Sequence, residues 1–198
     1  MKLFQNIQFL LAAHDGRQLP PDQGAEVAFA GRSNAGKSSA LNALVNRRAL
    51  ARTSRTPGRT QQLVVFELDP DRRLVDLPGY GYAKAPRALR QHWEKTIERY
   101  LRERQSLRSL ILIMDIRHPL KDVDCQLLAF CTDIGLPCLC LLTKADKLSR
   151  SQAQTALAKT RRDIESAGWS ADLLLFSATK MTGVEEARQA VASMLDAP

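Results

Sequence analysis

The sequence predicts a single α/β domain, with helices on both faces of a doubly wound, mostly parallel six-stranded sheet that has one antiparallel edge strand. First, short apolar segments typical of strands alternate with longer segments of helical periodicity. Second, the 198 residues suffice for one domain with a full hydrophobic core and are too few for two of ordinary size. Third, segments rich in glycine, threonine or aspartate directly follow several strands, and doubly wound sheets bind ligands at those strand ends.

The predicted elements follow one another in a regular order. Strands are expected near residues 26–32, 63–68, 73–77, 109–115, 138–143 and 173–177. Helices are expected near residues 37–46, 86–104, 122–134, 150–166 and 183–195. The second and third strands meet at the tight turn Asp69-Pro70-Asp71, which predicts that they pair antiparallel at the edge of the sheet.

Residues 1–24 are expected to form an extension packed on the main domain, residues 25–198. The stretch from Phe4 to Ala13 is apolar but short, and is expected to lie against the domain as a strand or a helix. It is too short for a membrane span and lacks the cleavage site of a signal peptide. A proline-containing turn, Leu19 to Gly24, separates it from the first predicted strand of the main domain.

The chain has four cysteines and no C-x-x-C pair. Cys138 and Cys140 alternate along a predicted buried strand, which indicates small core residues rather than metal ligands. Free core thiols are typical of the reducing cytoplasm.

The segment Gly31-Arg32-Ser33-Asn34-Ala35-Gly36-Lys37-Ser38 fits the phosphate-binding pattern G-x-x-x-x-G-K-[ST]. Its glycines let backbone N–H groups approach a polyphosphate, Lys37 brings positive charge to the outer phosphates, and Ser38 can ligate Mg²⁺. A predicted strand enters the loop and a predicted helix leaves it, so an anion there also gains from the helix dipole. The alternative, a Gly/Ser turn beside an ordinary helix, is disfavoured by this context.

Two later segments are candidates for sensing a terminal phosphate. Asp76, in Val75-Asp76-Leu77-Pro78-Gly79, ends an apolar strand and can reach the Mg²⁺ shell, while the Gly79 N–H can meet a γ-phosphate. Thr60, in the turn-rich segment Thr56 to Gln61, can complete the Mg²⁺ shell while that phosphate is present, and we prefer it to Thr53 and Thr56. Taken singly, each segment would fit a structural role about as well.

Two further strand ends carry residues suited to guanine. Asp146, in Thr143-Lys144-Ala145-Asp146, can accept hydrogen bonds from the guanine N1–H and exocyclic amine, whereas adenine would leave its carboxylate unpaired. Lys144 can stack its aliphatic stem on the base. Backbone N–H groups of Phe176-Ser177-Ala178-Thr179 can meet the guanine O6. The usual guanine-reading segment begins with Asn, where this chain has Thr143.

Together these segments resemble the EngB family of bacterial GTP-binding proteins, small GTPases of the translation-factor-related class. The resemblance runs from about residue 29 to residue 179 and rests on Gly31 to Ser39, Thr56 to Gln61, Asp76 to Ala83, Met114 to Pro119 and Thr143 to Asp146. Thr143 in place of Asn is usual for that family. The resemblance implies a P-loop GTPase domain, Mg²⁺, a monomeric cytoplasmic protein, and slow GTP hydrolysis serving large ribosomal subunit assembly, needed for normal cell division and septation.

On this basis the expected nucleotide-binding residues comprise the phosphate loop and parts of four later segments. They are Gly31, Arg32, Ser33, Asn34, Ala35, Gly36, Lys37, Ser38, Ser39, Gly58, Arg59, Thr60, Asp76, Leu77, Pro78, Gly79, Thr143, Lys144, Asp146, Ser177, Ala178 and Thr179. Ser38 and Thr60 are the expected direct Mg²⁺ ligands, and Asp76 is expected to act through water. Lys37, Thr60 and Gly79 would assist hydrolysis, and no residue is assigned as its catalytic base.

Three other residues bear on hydrolysis. Tyr80 follows the D-x-x-G segment, where many GTPases have a glutamine that orients the attacking water, so unaided hydrolysis is expected to be slow. His118, beside Pro119, is interpreted as a turn histidine rather than a base. The Asn34 side chain can help to bind a K⁺ ion, as in potassium-stimulated relatives with the same asparagine, or it can merely tolerate a tight turn.

The net charge of +8 is concentrated in one part of the chain. Residues 30–110 carry 17 Lys and Arg against 7 Asp and Glu, and the remainder carries 12 against 14. Arginines cluster after the phosphate loop and in or beside the predicted helix 86–104, whose apolar residues recur at helical spacing, so the arginines are expected to face outward. They are Arg47, Arg48, Arg52, Arg55, Arg59, Arg87, Arg90, Arg99, Arg102, Arg104 and Arg108.

This basic surface is either an ordinary solvated face or a contact for RNA phosphates. The family resemblance favours ribosomal RNA or a preribosomal large subunit as the partner. Two other functions stay open. A P-loop kinase or metabolic ATPase would need an acceptor-binding lid and no guanine reader, so Asp146 disfavours it. A septum- or cytoskeleton-associated protein would use GTP for regulation without acting through the ribosome.

Overall fold

A computed structural model describes residues 2–47, 50, 62–80 and 87–197. The strands in these ranges are β1 (Gln8–Ala13), β2 (Ala25–Gly31), β3 (Leu63–Asp69), β4 (Arg72–Asp76), β5 (Leu107–Asp115), β6 (Cys138–Thr143) and β7 (Asp172–Leu175). The α-helices are α1 (Lys37–Leu44), α2 (Arg87–Glu103), α3 (Asp122–Asp133), α4 (Arg150–Ser166) and α5 (Val184–Asp196). Short 3₁₀ helices cover Lys2–Phe4, Gly16–Gln18 and Ala145–Lys147. Within the described ranges, no helix combines the length and the apolar character that a bilayer crossing requires.

The strands form one sheet in the order β1-β3-β4-β2-β5-β6-β7. β4, β2, β5, β6 and β7 pair parallel with their neighbours, and β3 pairs antiparallel with β4. The predicted fold class, a single doubly wound α/β domain, is confirmed. Because the carboxyl ends of parallel strands meet at one edge of the sheet, the segments that follow β2, β4, β5 and β6 are brought together there.

The sheet has seven strands rather than the expected six because the N-terminal apolar segment joins it. β1 pairs antiparallel with β3, matching Ala13 with Leu63 and Gln8 with Glu67. β3 runs opposite to the parallel strands, as predicted, but lies second in the sheet order because β1 covers its outer side. This pairing supplies hydrogen-bond partners to backbone groups of β3 that would otherwise form an open edge.

The middle strands are buried on both faces of the sheet. Alternate residues of β5 face opposite sides: Leu110, Leu112 and Met114 join one apolar cluster, while Ile111 and Ile113 join the other. Helices α2, α3 and α4 cover the first cluster, and α1 and α5 cover the second. The predicted core cysteines are buried in the first cluster, which contains Cys131, Cys138 and Cys140.

A buried ionic network lies where β2 begins, at the end of that strand farthest from the phosphate loop. The Glu26 carboxylate, on a residue only 1% exposed, accepts hydrogen bonds from Arg73 Nε (3.0 Å), Arg104 Nη2 (2.6 Å) and Tyr100 Oη (3.0 Å). These donors offset the high cost of burying a carboxylate. Arg104 therefore does not face outward as predicted, because it neutralises Glu26 and fixes the end of α2 to the sheet.

Candidate functional site

The phosphate loop joins β2 to α1 and needs its two glycines for different reasons. A Cβ atom at Gly31 would lie 2.8 Å from the Ile113 carbonyl oxygen, so a larger residue would force β2 away from β5. Gly36 has a φ of 100°, a left-handed conformation that glycine adopts without steric cost. Asn34 is also left-handed, with a φ of 63°. The loop therefore has the tight backbone that the motif predicts.

The N-terminus of α1 presents backbone donors on the carboxyl side of the sheet. The first intrahelical bond runs from the Ala40 N–H to the Gly36 carbonyl at 2.8 Å. The N–H groups of Lys37, Ser38 and Ser39 precede that bond, and a glycine N-cap provides no side chain to satisfy them. Together with the helix dipole, these donors form a site suited to a phosphate group.

Lys37 and Asp76 form an ion pair across this edge of the sheet. The Lys37 ammonium donates to the Asp76 carboxylate, and their side chains are only 12% and 13% exposed. The pairing follows from topology, because β4 lies beside β2 with Asp76 in register with Phe29, just before the phosphate loop. The structure thus brings together two predicted site residues that are 39 positions apart in sequence.

The oxygen donors at this edge fit Mg²⁺ bound together with a nucleotide. Asp76 offers a carboxylate and Ser38, one residue after Lys37, offers a hydroxyl. In the part of the chain that the structure describes, no three His, Cys, Asp or Glu side chains gather as a metal site. Mg²⁺ commonly takes one or two protein oxygens and completes its shell with phosphate oxygens and water. This donor set is therefore suited to a shared metal–phosphate site.

The segment after β4 is attached to the phosphate loop by its backbone. The Tyr80 N–H donates to the Gly31 carbonyl (3.4 Å), and the Ser33 N–H donates to the Tyr80 carbonyl (3.0 Å). Leu77 and Pro78 are buried, whereas Gly79 is partly exposed beside the loop. Gly79 is thus placed beside the predicted phosphate site.

The Tyr80 side chain turns inward, away from a role in orienting water. Its hydroxyl donates to the Asp124 carboxylate of α3 at 2.9 Å, and burial raises the pKa values of both groups. This arrangement agrees with the expectation that Tyr80 does not replace the water-orienting glutamine. The role of Asp124 was missed by sequence reasoning, because an aspartate in the first turn of a helix usually indicates only favourable helix electrostatics.

Thr143 connects the end of β6 to the phosphate loop. It is 3% exposed, and its hydroxyl donates to the Ala35 carbonyl and lies 3.0 Å from the Met114 carbonyl. A contribution of Thr143 to nucleotide binding would therefore be indirect, through the position of the loop. This contact also explains how a threonine is accommodated where the usual guanine-reading segment has asparagine.

Asp146 and Ser177, from two different loops, meet at the same edge of the sheet. The Ser177 hydroxyl donates to Asp146 Oδ1 at 2.6 Å, and this hydrogen bond lowers the pKa of Asp146. The two loops are also joined by a backbone bond of 3.1 Å from the Ala145 N–H to the Phe176 carbonyl. Ala178 is partly buried and Thr179 is exposed. The predicted guanine-reading segments are therefore adjacent, and the Asp146 carboxylate is held ionised.

Lys144 extends from the same loop to the phosphate loop. Its ammonium donates to the Asn34 carbonyl at 2.6 Å and lies 2.9 Å from the Asp115 carboxylate at the end of β5. Sequence reasoning included Asp115 in a family motif but gave it no role. Its position as the last residue of an apolar strand, at the carboxyl edge of the sheet, was the signal that could have identified it.

Several predicted residues lie outside the described ranges. These are Gly58, Arg59 and Thr60, together with three of the arginines that follow the phosphate loop, Arg48, Arg52 and Arg55. The helix predicted at 86–104 is present as α2, and its Arg99 and Arg102 are exposed while Tyr100 and Leu101 are buried. His118 donates its backbone N–H to the Asp115 carbonyl at 2.9 Å, within a turn, as its interpretation as a turn histidine requires.

Comparison with known proteins identifies close sequence relatives. Residues 26–144 match the model of a family described as 50S ribosome-binding GTPase. The chain is 57% identical to the probable GTP-binding protein EngB of Stenotrophomonas maltophilia (strain K279a), over 98% of this chain and 97% of that protein. It is 55% identical to the protein of the same name from Xanthomonas euvesicatoria pv. vesicatoria (strain 85-10), over 98% and 94%.

Solved structures share the fold. A crystal structure of a probable GTP-binding protein EngB has a TM-score of 0.67 at 19% identity, covering 86% of this chain and 98% of that one. Era in complex with MgGDPNP and nucleotides 1506–1542 of 16S ribosomal RNA also has a TM-score of 0.67 at 19% identity, covering 89% of this chain and 58% of Era. At 19% identity, both comparisons show a shared fold and nothing further.

Proposed function

Because this chain belongs to the EngB family of GTP-binding proteins, we propose that it is a GTP-hydrolysing switch that acts in assembly of the bacterial large ribosomal subunit. Family and fold make the protein a P-loop GTPase, which excludes the small-molecule kinase considered above. One structural observation supports the assignment of its site. The Lys37–Asp76 pair and the Asp146–Ser177 pair occupy the same edge of the sheet, as the two ends of one nucleotide would require.

The proposed site divides into a phosphate end and a base end. At the phosphate end, the phosphate loop with Lys37 would bind the phosphates, and Ser38 and Thr60 would ligate Mg²⁺ directly, with Asp76 acting through water. Mg²⁺ would supply positive charge that stabilises the transferring phosphoryl group. Gly79 would donate its N–H to the γ-phosphate. At the base end, Asp146 would read guanine, assisted by Lys144 and the N–H groups of the Ser177 loop.

We propose ribosomal RNA as the partner, in a preribosomal large subunit. The family description names 50S ribosome binding, and exposed arginines such as Arg99 and Arg102 lie on α2, which follows the segment Asp76 to Ala83 in sequence. Guanidinium groups pair well with RNA phosphates, and such contacts weaken as the salt concentration rises. A docking surface that includes the segments expected to sense the γ-phosphate, Thr56 to Gln61 and Asp76 to Gly79, would change with the bound nucleotide.

Sedimentation with purified ribosomal subunits tests this partner. We expect the protein to move with large subunits in the presence of a non-hydrolysable GTP analogue, and less with GDP. A double Arg99→Gln, Arg102→Gln variant should reduce the bound fraction, while Arg161→Gln, on the exposed face of α4, serves as the control. No recovery with large subunits at any salt concentration would favour the alternative of a septum-associated protein that does not act through the ribosome. Equal recovery with both nucleotides would contradict a nucleotide-dependent switch.

We further propose slow intrinsic hydrolysis that K⁺ stimulates through Asn34. The left-handed Asn34 backbone supports the turn explanation equally, so the cation must be tested directly. GTP turnover by the isolated protein should be slow and several-fold faster in KCl than in NaCl at equal ionic strength, and Asn34→Ala should remove the difference. Asn34→Gly is the matched control because it keeps the left-handed turn but lacks the side-chain carbonyl, so it too should lose the K⁺ effect if that carbonyl binds the ion. Identical rates in both salts would leave Asn34 with a conformational role alone.

The remaining expectations about organisation stay proposals. We divide the chain into an N-terminal extension, residues 1–24, and a GTPase domain, residues 25–198, although β1 of the extension is hydrogen-bonded into the sheet. We propose a monomeric cytoplasmic protein whose effect on cell division and septation follows from ribosome assembly.

A further inference from the structure

We infer that Asp115 is a positioning residue of the nucleotide site, which holds the Lys144 ammonium against the phosphate loop so that the lysine stem is preorganised for the base. The inference rests on the nucleotide site proposed above and adds a residue to it. Asp115 lies at the end of β5, between the strands that carry the phosphate loop and the guanine-reading loop. Its carboxylate is therefore placed where the two loops meet.

The contacts of Asp115 join three segments of the site. Arg117 donates to its carboxylate through Nε at 2.9 Å and Nη2 at 2.7 Å, and the Arg117 backbone N–H donates at 3.1 Å. Lys144 Nζ lies 2.9 Å from the same carboxylate and donates to the Asn34 carbonyl at 2.6 Å. One ammonium thus bridges the guanine-reading loop, β5 and the phosphate loop.

The path of the Lys144 side chain shows what this bridge fixes. Lys144 has a left-handed backbone with a φ of 59°, which few residues adopt outside turns. A Cβ built at Gly36 would lie 3.9 Å from Lys144 Cε, so the lysine stem runs along the phosphate loop. A free lysine side chain samples many rotamers, and holding it in one conformation before the nucleotide arrives removes an entropic cost of binding.

Charge explains why an aspartate is needed at this position. Arg117 and Lys144 bring two cations to one carboxylate whose side chain is 14% exposed. Burial opposes ionisation, but hydrogen bonds from Arg117 and Lys144 keep the pKa of Asp115 well below its usual range. Without the negative charge, the arginine and lysine would repel each other, and the ammonium would leave the phosphate loop.

Asp115 acts on affinity and not on base selectivity, which distinguishes it from Asp146. The lysine stem would contact the face of a base, which guanine and hypoxanthine share, whereas Asp146 would read the edge. Removing the Asp115 charge should therefore weaken the binding of GDP, GTP and inosine diphosphate (IDP) by the same factor.

Equilibrium titration of four proteins tests this inference: the natural chain, Asp115→Asn, Lys144→Met and the double variant. We expect Asp115→Asn to raise the Kd of GDP and of a GTP analogue by about tenfold, the usual effect of losing one charge-assisted contact. The ratio of GDP to IDP affinity should stay as in the natural chain. In the Lys144→Met background, Asp115→Asn should change the Kd less than twofold, because the side chain that it positions is already lost.

Two further variants separate positioning from a merely structural role. Arg117→Gln removes two hydrogen bonds to Asp115 and leaves the ion pair with Lys144, so it should change the Kd by less than about threefold. Asp133→Asn, at the exposed end of α3, is the control for loss of a surface charge. Asp115 has no positioning role if the Kd of Asp115→Asn for GDP lies within twofold of that of the natural chain. The same conclusion follows if the double variant raises the Kd by the product of the two single-variant factors, because the two residues then act independently. If the natural chain does not prefer guanine to adenine nucleotides, the proposed site itself is wrong.

Discussion

Replacing Asp146 with asparagine is expected to weaken GDP and GTP binding by about a hundredfold to ten-thousandfold and to admit xanthine nucleotides. The Asp146 carboxylate would accept two charge-assisted hydrogen bonds from guanine, each worth about 1.5–3 kcal/mol, and every 1.4 kcal/mol is a factor of ten in affinity. The asparagine amide N–H donates where the carboxylate only accepted, so it would repel the guanine exocyclic amine and would donate to the O2 carbonyl of xanthine instead.

This variant should keep the native loop. Its Oδ1 can still accept the hydrogen bond that the Ser177 hydroxyl gives to Asp146 at 2.6 Å, so folding and affinity can be separated. Competition titrations with GDP, xanthosine diphosphate and ADP, together with thermal melting, measure both. Asp172→Asn, at the exposed start of β7, is the control. Binding of ADP by the natural chain as tight as that of GDP would contradict the assignment of Asp146.

Replacing Lys37 with alanine is expected to weaken GTP binding by about a hundredfold and GDP binding by about tenfold. The lysine would meet the outer phosphates, so the triphosphate loses more charge-assisted contact than the diphosphate does. In the structure Lys37 is paired with Asp76, and both side chains are largely buried. On the proposed assignment, nucleotide binding would replace this ion pair: Lys37 would contact the phosphates, and Asp76 would contact the Mg²⁺ shell.

Affinities for GDP and for a non-hydrolysable GTP analogue, each measured with and without Mg²⁺, test this exchange. In the natural chain, Mg²⁺ should strengthen GTP binding more than GDP binding, because only GTP offers the metal a γ-phosphate oxygen. Lys159→Ala, on the exposed face of α4, is the matched control. Equal losses for GDP and GTP in Lys37→Ala would place the lysine away from the outer phosphates and would contradict the orientation proposed for the nucleotide.

Features that depend on local backbone conformation and residue type could be predicted from the sequence alone. The phosphate loop needs a left-handed glycine at Gly36 and a helix start at Lys37, and both are properties of neighbouring residues. The order of strands and helices likewise follows from local periodicity, which is why the fold class was confirmed. The predicted guanine-reading segments are adjacent because they follow β6 and β7, neighbouring parallel strands whose carboxyl ends lie at one edge of the sheet.

Contacts between distant segments were decided only by the tertiary structure. The strand β1 exists because β3, some fifty residues later, offers it a free edge, and Arg104 faces inward because Glu26 is buried beneath it. In the same way, Asp115 acquires a role from Lys144, and the Tyr80 hydroxyl points to Asp124 rather than to the phosphate site. Hydrophobic periodicity records whether a residue is buried but carries no information about which polar group it will meet, because that partner is selected by packing across the sheet.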